Sequence, residues 1–269
     1  MTAFQRSQSQ SRLQAGRQPV IGVLLVHGMN GNRHDLAELE LALQEPGMVT
    51  HNMLLPGHGT HVRDMIPVGW AEWEEAVRSE LQALKQRCDV VFLVGHSLGR
   101  ALCLHVAAHE EVAGVVAMCA PLHMYPWIKP VVSLVKRVTP ILPTVREDVR
   151  DPEARRRYTR DVHRWTAMRP VESMLEFLPK LRTELPHITV PTLIMTSIYD
   201  HVVPARDGRE IYRLIGSLEK HLVTFHHSYH VIMKDQDREE VFAKTEAFIL
   251  QHASKAKLHR QVPLKDQTA

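Results

Sequence analysis

The sequence predicts an α/β fold with a mostly parallel central sheet flanked by helices. Short apolar segments alternate along the chain with segments of helical periodicity, the order of elements that is typical of parallel sheets. The apolar segments are rich in Val, Leu and Ile and are continuous rather than alternating, as expected for strands covered on both faces. Residues 121–190 interrupt this order with many prolines, and we interpret them as a small helical cap over the carboxyl edge of the sheet.

The elements follow one another in a regular order. Strands are predicted over residues 20–26, 48–54, 90–94, 114–119, 192–196 and 222–225. Helices of the body are predicted over residues 34–44, 70–87, 98–110, 205–215 and 238–251. Within the cap, helices are predicted over residues 127–138 and 152–168, and no strand is expected.

The composition indicates one globular domain between two tails. Hydrophobic residues make up 44% of the 269 residues and charged ones 23%, which excludes a wholly disordered or fibrous chain. Residues 1–18 are predicted to be a disordered tail, residues 19–251 the domain, and residues 252–269 a basic flexible tail. Because the basic excess lies in the tails, we expect no nucleic-acid partner.

A cytoplasmic protein is expected, as a monomer or homodimer. The three cysteines Cys88, Cys103 and Cys119 lie in apolar segments and are odd in number, which argues against a disulfide framework. The longest apolar run, 20–26, is much shorter than the roughly 20 residues of a membrane-spanning helix. No basic segment followed by an apolar one begins the chain, so no secretory signal is expected.

The most informative motif is Gly-His-Ser-Leu-Gly at residues 95–99, between a predicted strand and a predicted helix. Glycines at both ends permit a turn so sharp that side chains there would collide with neighbouring backbone. Such a turn exposes the hydroxyl of Ser97 at a helix N-terminus, where developing negative charge is favoured. Ser97 is therefore the expected nucleophile, and the alternative is a serine that only caps the helix.

A nucleophilic serine needs a general base and an acid that orients it. The expected base is His230, on the loop between the last strand and the last helix, with His226 and His227 as alternatives. The expected acid is Asp200, which follows the strand over 192–196; alternatively, it only caps the next helix. All three loops leave the carboxyl edge of the sheet, so the side chains can converge.

Two backbone N–H groups are needed to bind an oxyanion. One is expected from Leu98, directly after the nucleophile. The other is expected from Met29, on the glycine-containing loop after the first strand. The residues expected to contact the substrate are Gly28, His96, Leu122, Trp127 and Val202.

Two further features have alternative interpretations. His105 and His109 are four residues apart on a predicted helix, a spacing that can bind a metal ion. The sequence indicates no third ligand, so we interpret them as surface histidines and expect neither a metal nor a cofactor. The apolar predicted helix over 127–138 either covers an acyl pocket or makes transient contact with lipid.

The motifs together resemble those of the α/β-hydrolases, within them the bacterial carboxylesterase and monoacylglycerol lipase group. The resemblance extends over residues 20–251. It rests on HGMNGN at 27–32, LPGHG at 55–59, WAEW at 70–73, GHSLG at 95–99, MCAP at 118–121, DHVVP at 200–204 and SYHVI at 228–232.

This resemblance implies a serine esterase that cleaves short- to medium-chain acyl esters, monoacylglycerols among them, through an acyl-enzyme on Ser97. A thioesterase or another acyl hydrolase would use the same triad, and a non-catalytic binding scaffold is the alternative from another class. One departure from the family pattern is Arg100, where members usually carry a small residue. Arg100 is expected either to crowd the site or to contact a polar group of the substrate.

Overall fold

The computed structural model describes residues 18–119, 121–123, 127–144, 148–161 and 164–261, and its centre is a six-stranded parallel sheet. The predicted parallel sheet is therefore confirmed. Its strands, in chain order, are β1 (Ile21–Val26), β2 (Val49–Asn52), β3 (Val90–His96), β4 (Gly114–Met118), β7 (Thr192–Ser197) and β8 (Lys220–Phe225). The order across the sheet is β2-β1-β3-β4-β7-β8, and each neighbouring pair is parallel.

Helices cover both faces of this sheet, which explains why the four central strands β1, β3, β4 and β7 are mostly apolar. The helices are α1 (Ala37–Gln44), α2 (Val62–Met65), α3 (Trp70–Lys85), α4 (Leu98–His109), α5 (Ile128–Val138), α6 (Pro152–Asp161), α7 (Met168–Glu184), α8 (Ala205–Leu214) and α9 (Arg238–Gln261). The side chains of β1 point alternately to the two faces of the sheet. Leu24 and Val26 pack with α3, α4 and α7 on one face, whereas Val23 and Leu25 pack with α1 and α9 on the other.

The insertion between β4 and β7 contains more structure than the sequence predicts. It holds α5, α6 and α7 and a two-stranded antiparallel ribbon, β5 (Ile141–Pro143) with β6 (Trp165–Ala167). The helix predicted over 152–168 is wrong in extent, because α6 ends at Asp161 and a new helix begins at Met168. Strands of three residues are too short to show a period, and Pro170 and Pro179 obscure the helical pattern of α7.

The C-terminal segment also differs from its prediction. Residues from 252 onward were expected to be a flexible tail, but α9 continues to Gln261. His252 and Ala253 are each 1% exposed, because this face of the helix packs on the core below β3 and β4. Along the described residues, none of the helices is both long enough and apolar enough to cross a membrane.

Candidate active site

Ser97 occupies a strained turn between β3 and α4. Its backbone has φ 52° and ψ −116°, a conformation that residues with a side chain rarely adopt. A Cβ atom on Gly95 would lie 2.5 Å from Cα of Arg100, and one on Gly99 would lie 2.1 Å from the carbonyl oxygen of Val26. Only glycine fits at these two positions, so the turn depends on both.

His230 and Asp200 form a buried hydrogen-bonded pair. Nδ1 of His230 donates to Oδ2 of Asp200 over 2.8 Å, and the two side chains are 3% and 2% exposed. The other oxygen of Asp200, Oδ1, accepts the N–H groups of Val202 and Val203, each over 2.8 Å. Because Nδ1 donates, Nε2 of His230 carries the lone pair that can accept a proton.

The electrostatics of this pair favour an ionised carboxylate. Burial alone would raise the pKa of Asp200. The imidazole of His230 and the N–H groups of Val202 and Val203 outweigh burial, so the pKa of Asp200 lies below its ordinary value. Asp200 therefore does more than cap the turn that follows it, since one oxygen fixes the turn and the other holds the imidazole.

His230, rather than the two alternative histidines, lies beside the end of β3. Nε2 of His96 donates to the carbonyl oxygen of His230 over 3.1 Å, and the two rings are 4.7 Å apart. His226 and His227 are exposed. Because His96 directly precedes Ser97 in the chain, this hydrogen bond couples the loop of His230 to the turn of Ser97.

Two carboxylates that the sequence analysis did not single out hold the loop of His230. Asp235 accepts the N–H groups of Tyr229 over 2.8 Å and of Arg150 over 2.6 Å. Asp237 accepts the hydroxyl of Ser228 over 2.7 Å. Asp235 thus joins the loop to the cap just before α6. Both acids precede α9, where a sequence pattern indicates nothing beyond an ordinary helix start.

The two expected oxyanion donors belong to segments that adjoin Ser97. Leu98 is the first residue of α4, so its N–H has no acceptor within the helix. Met29 lies in a turn closed by the N–H of Gly31, which donates to the carbonyl of Gly28 over 3.1 Å. A Cβ atom on Gly28 would lie 3.1 Å from Cβ of Ser97, so this loop packs directly against Ser97.

A histidine on the same loop anchors it to the chain after β2. His27 is fully buried, and its Nε2 accepts the N–H of Leu55 over 3.1 Å. Its ring contacts the edge of His58 at 4.9 Å, and the ring of His58 lies 5.9 Å from that of Trp73 on α3. The motifs at 27–32, 55–59 and 70–73 thus meet in one cluster, which sets the position of the Met29 backbone.

The four other expected substrate contacts occupy different environments. His96 and Leu122 are buried; His96 supports the loop of His230, and the N–H of Leu122 donates to Asp207 over 2.8 Å. Val202 is half-buried in the turn after β7. Trp127 precedes α5 and is 62% exposed, so its indole lies on the surface of the cap rather than enclosed in a pocket.

Arg100, the departure from the family pattern, has a fully buried side chain directly after the turn. Among the residues that the structure describes, no acceptor bonds to its Nε, Nη1 or Nη2. Burial lowers the pKa of Arg100 to about 9, and the nearby carboxylate of Asp207 opposes that effect. Its charge therefore lies in the interior near Asp207, the carboxylate that holds the first residues of the cap.

Cys119 is a further neighbour of Asp200 and His230, although the sequence shows it only as a cysteine in an apolar segment. It has φ 48° directly after β4. Its sulfur lies within 4.8 Å of ligand atoms of Asp200 and His230. Burial raises the pKa of the thiol well above its ordinary value, so it remains protonated. Its placement depends on the end of β4 meeting β7, which no local pattern reveals.

The chain matches known proteins over nearly all of its described length. A family model described as "Serine aminopeptidase, S33" matches residues 17–237. A thermostable monoacylglycerol lipase of Bacillus sp. (strain H-257) is 30% identical over 234 residues, 87% of this chain and 92% of the relative. A carboxylesterase of Bacillus subtilis (strain 168) is 25% identical, over 84% and 91% of the two chains.

A solved structure of a lipolytic enzyme has the same fold. It belongs to work on LipS and LipT, two metagenome-derived lipolytic enzymes, and superimposes with a TM-score of 0.81 at 29% identity. The alignment covers 87% of this chain and 95% of the other. The two chains therefore share their fold over most of their length.

Proposed function

The chain belongs to the α/β-hydrolase family that the serine aminopeptidase model describes, and from this premise we propose that it hydrolyses carboxylic esters with Ser97 as nucleophile. The observation that carries the proposal is one site in which a strained serine turn lies beside the hydrogen-bonded pair of His230 and Asp200. The names of the relatives, monoacylglycerol lipase and carboxylesterase, support an ester as the substrate.

The proposed reaction follows the chemistry of a serine triad. Nε2 of His230 takes the hydroxyl proton while Oγ of Ser97 attacks the ester carbonyl, and the N–H groups of Leu98 and Met29 bind the oxyanion. His230 then protonates the departing alcohol as the carbon–oxygen bond breaks, which leaves an acyl-enzyme. Water repeats the cycle and releases the carboxylic acid, while Asp200 holds the imidazole in one tautomer throughout.

The apolar environment of the site supports acyl chains of short to medium length. Ile128 and Val132 on α5 pack against the same apolar cluster as Met29 of the oxyanion loop. The inner face of the cap therefore continues the apolar surface that begins beside the nucleophile. An acyl chain extending from the carbonyl would lie along this surface.

Hydrolysis of p-nitrophenyl esters from acetate to palmitate tests the proposal. We expect turnover by the wild type that is greatest among the short and medium chains and falls for palmitate. The same enzyme is also assayed with an acyl thioester and with an aminoacyl p-nitroanilide. Faster turnover of either would favour a thioesterase or a peptidase instead. Absence of all turnover, together with no fluorophosphonate labelling of Ser97, would favour the binding scaffold.

We further propose that the outer face of the cap contacts lipid. The apolar side chains Trp127, Val131, Leu134 and Val138 form one row along α5 and are 62%, 47%, 64% and 84% exposed. Lys136 and Arg137 lie in the last turn of the same helix. An exposed apolar row with adjoining cations suits the surface of an anionic bilayer or lipid aggregate. The proposed location is the cytoplasm, in keeping with three buried free thiols.

Flotation with vesicles of phosphatidylcholine and phosphatidylglycerol tests this surface. The variant Leu134→Ser is expected to reduce the vesicle-bound fraction several-fold, because it removes apolar area from the middle of the row. The matched control is Leu218→Ser. This leucine is 99% exposed and lies just before β8, at the amino edge of the sheet and far from α5. Equal flotation of both variants, with unchanged melting temperatures, would contradict lipid contact through α5.

A further inference from the structure

The structure supplies the third ligand that the histidine pair on α4 lacks in the sequence. His105 and His109 are one turn apart on α4, and Glu184 is the last residue of α7. Nδ1 of His105 is 2.6 Å from Oε2 of Glu184, and Nε2 of His109 is 3.2 Å from Oε1 of the same carboxylate. We propose that these three side chains form a zinc site, separate from the triad and independent of the proposed esterase activity.

The spacing of the ligand atoms suits a small divalent ion. One ligand atom from each of the three side chains lies within 4.8 Å of the others. Zinc binds imidazole nitrogen and carboxylate oxygen at roughly 2.0–2.2 Å, which in a tetrahedron separates ligand atoms by about 3.3–3.5 Å. Small adjustments of the side chains would therefore complete three corners. Two imidazoles and one carboxylate are a ligand set that zinc uses, with the fourth position left to water.

A second carboxylate lies beside the buried imidazole. Nε2 of His105 lies 3.0 Å from Oε1 of Glu74 on α3, and the same oxygen accepts Nε of Arg78 over 3.0 Å. Zinc-binding histidines commonly donate their other ring N–H to a carboxylate, which leaves the first nitrogen free to bind the metal. The rings of Trp70 and Phe177, at 5.8 and 4.8 Å, fix the plane of the imidazole.

The proposed site is open to solvent only on the side of His109. The side chains of His105 and Glu184 are 2% and 9% exposed, whereas that of His109 is 43% exposed. An ion can therefore enter from solvent past His109. Lys180, whose Nζ lies 3.7 Å from Oε1 of Glu184, is 61% exposed, and its flexible side chain can turn away when a cation binds. The bound ion would join the helix of the nucleophile to the last helix of the cap.

Zinc titration of chelator-treated protein by calorimetry tests the proposal. We expect one zinc ion per wild-type chain. His109→Ala should weaken binding at least about tenfold, because it removes one of three ligands from a mostly exposed position. Glu74→Gln keeps all three ligands and should weaken binding by about 10- to 100-fold through loss of the orienting carboxylate. The matched control is His34→Ala, an exposed histidine before α1, which should bind zinc like the wild type.

Two further measurements separate this site from binding elsewhere. Co²⁺ in the wild type should show the visible absorption of tetrahedral coordination, and this band should be absent from His109→Ala. Zinc should raise the melting temperature of the wild type and His34→Ala but not of His109→Ala. Equal zinc affinity in His109→Ala and His34→Ala would overturn the proposal, as would absence of binding, which would leave His105 as an imidazole held between two carboxylates.

Discussion

Replacement of Ser97 with alanine is expected to lower kcat for ester hydrolysis by about 10⁵- to 10⁶-fold, since removal of the nucleophile eliminates the acyl-enzyme route. The residual rate would come from the oxyanion donors and from substrate binding. Folding should be little affected, because alanine keeps the Cβ atom and the backbone turn with its two glycines is unchanged. The measurement is steady-state hydrolysis of the best p-nitrophenyl ester.

Fluorophosphonate labelling provides an independent readout of the same variant. The wild type should become labelled on Ser97, and Ser97→Ala should not be labelled at all. The matched control is Ser79→Ala, an exposed serine on α3, which should keep both the turnover and the labelling of the wild type. A loss of turnover below about tenfold in Ser97→Ala would show that the nucleophile is another residue.

Much of the fold is predictable because the signals that specify it are local. The four central strands β1, β3, β4 and β7 are mostly apolar because helices cover both faces of the sheet, so the sequence locates them, whereas the edge strands β2 and β8 also contain polar residues. The turn at Ser97 has its own local signature, because Gly95 and Gly99 are required by backbone contacts at 2.5 and 2.1 Å. Asp200 and His230 could be chosen because parallel strands bring their following loops to one edge.

The remaining features depend on contacts between distant segments. Glu184 contacts His105, which is 79 residues away in the sequence. It lies on α7, a helix that the sequence does not predict because prolines interrupt its helical pattern. Asp235 holds Arg150 across 85 residues, and Cys119 approaches Asp200 only because β4 and β7 are neighbours. The continuation of α9 likewise reflects packing on the core rather than composition. Each of these requires the assembled fold, so no window of sequence predicts it.

Asp200→Asn is expected to lower kcat by about 10⁴-fold while leaving the turn after β7 intact. Asparagine keeps an oxygen in the position of Oδ1, so it can still accept the N–H groups of Val202 and Val203. Its amide nitrogen would replace Oδ2 and donate toward Nδ1 of His230. The imidazole would then carry its proton on Nε2, and the nitrogen that should take the proton of the serine would no longer be a base.

Asp200→Ala distinguishes this tautomer effect from simple loss of structure. Alanine removes both sets of hydrogen bonds, so it should lower kcat and also lower the melting temperature, whereas Asp200→Asn should lower kcat with a nearly unchanged melting temperature. KM should change little in Asp200→Asn, because the carboxylate is 2% exposed and lies behind the imidazole. Turnover by Asp200→Asn within tenfold of the wild type would mean that another acid orients the base. A parallel loss of stability and activity in both variants would mean that Asp200 acts only by holding its turn.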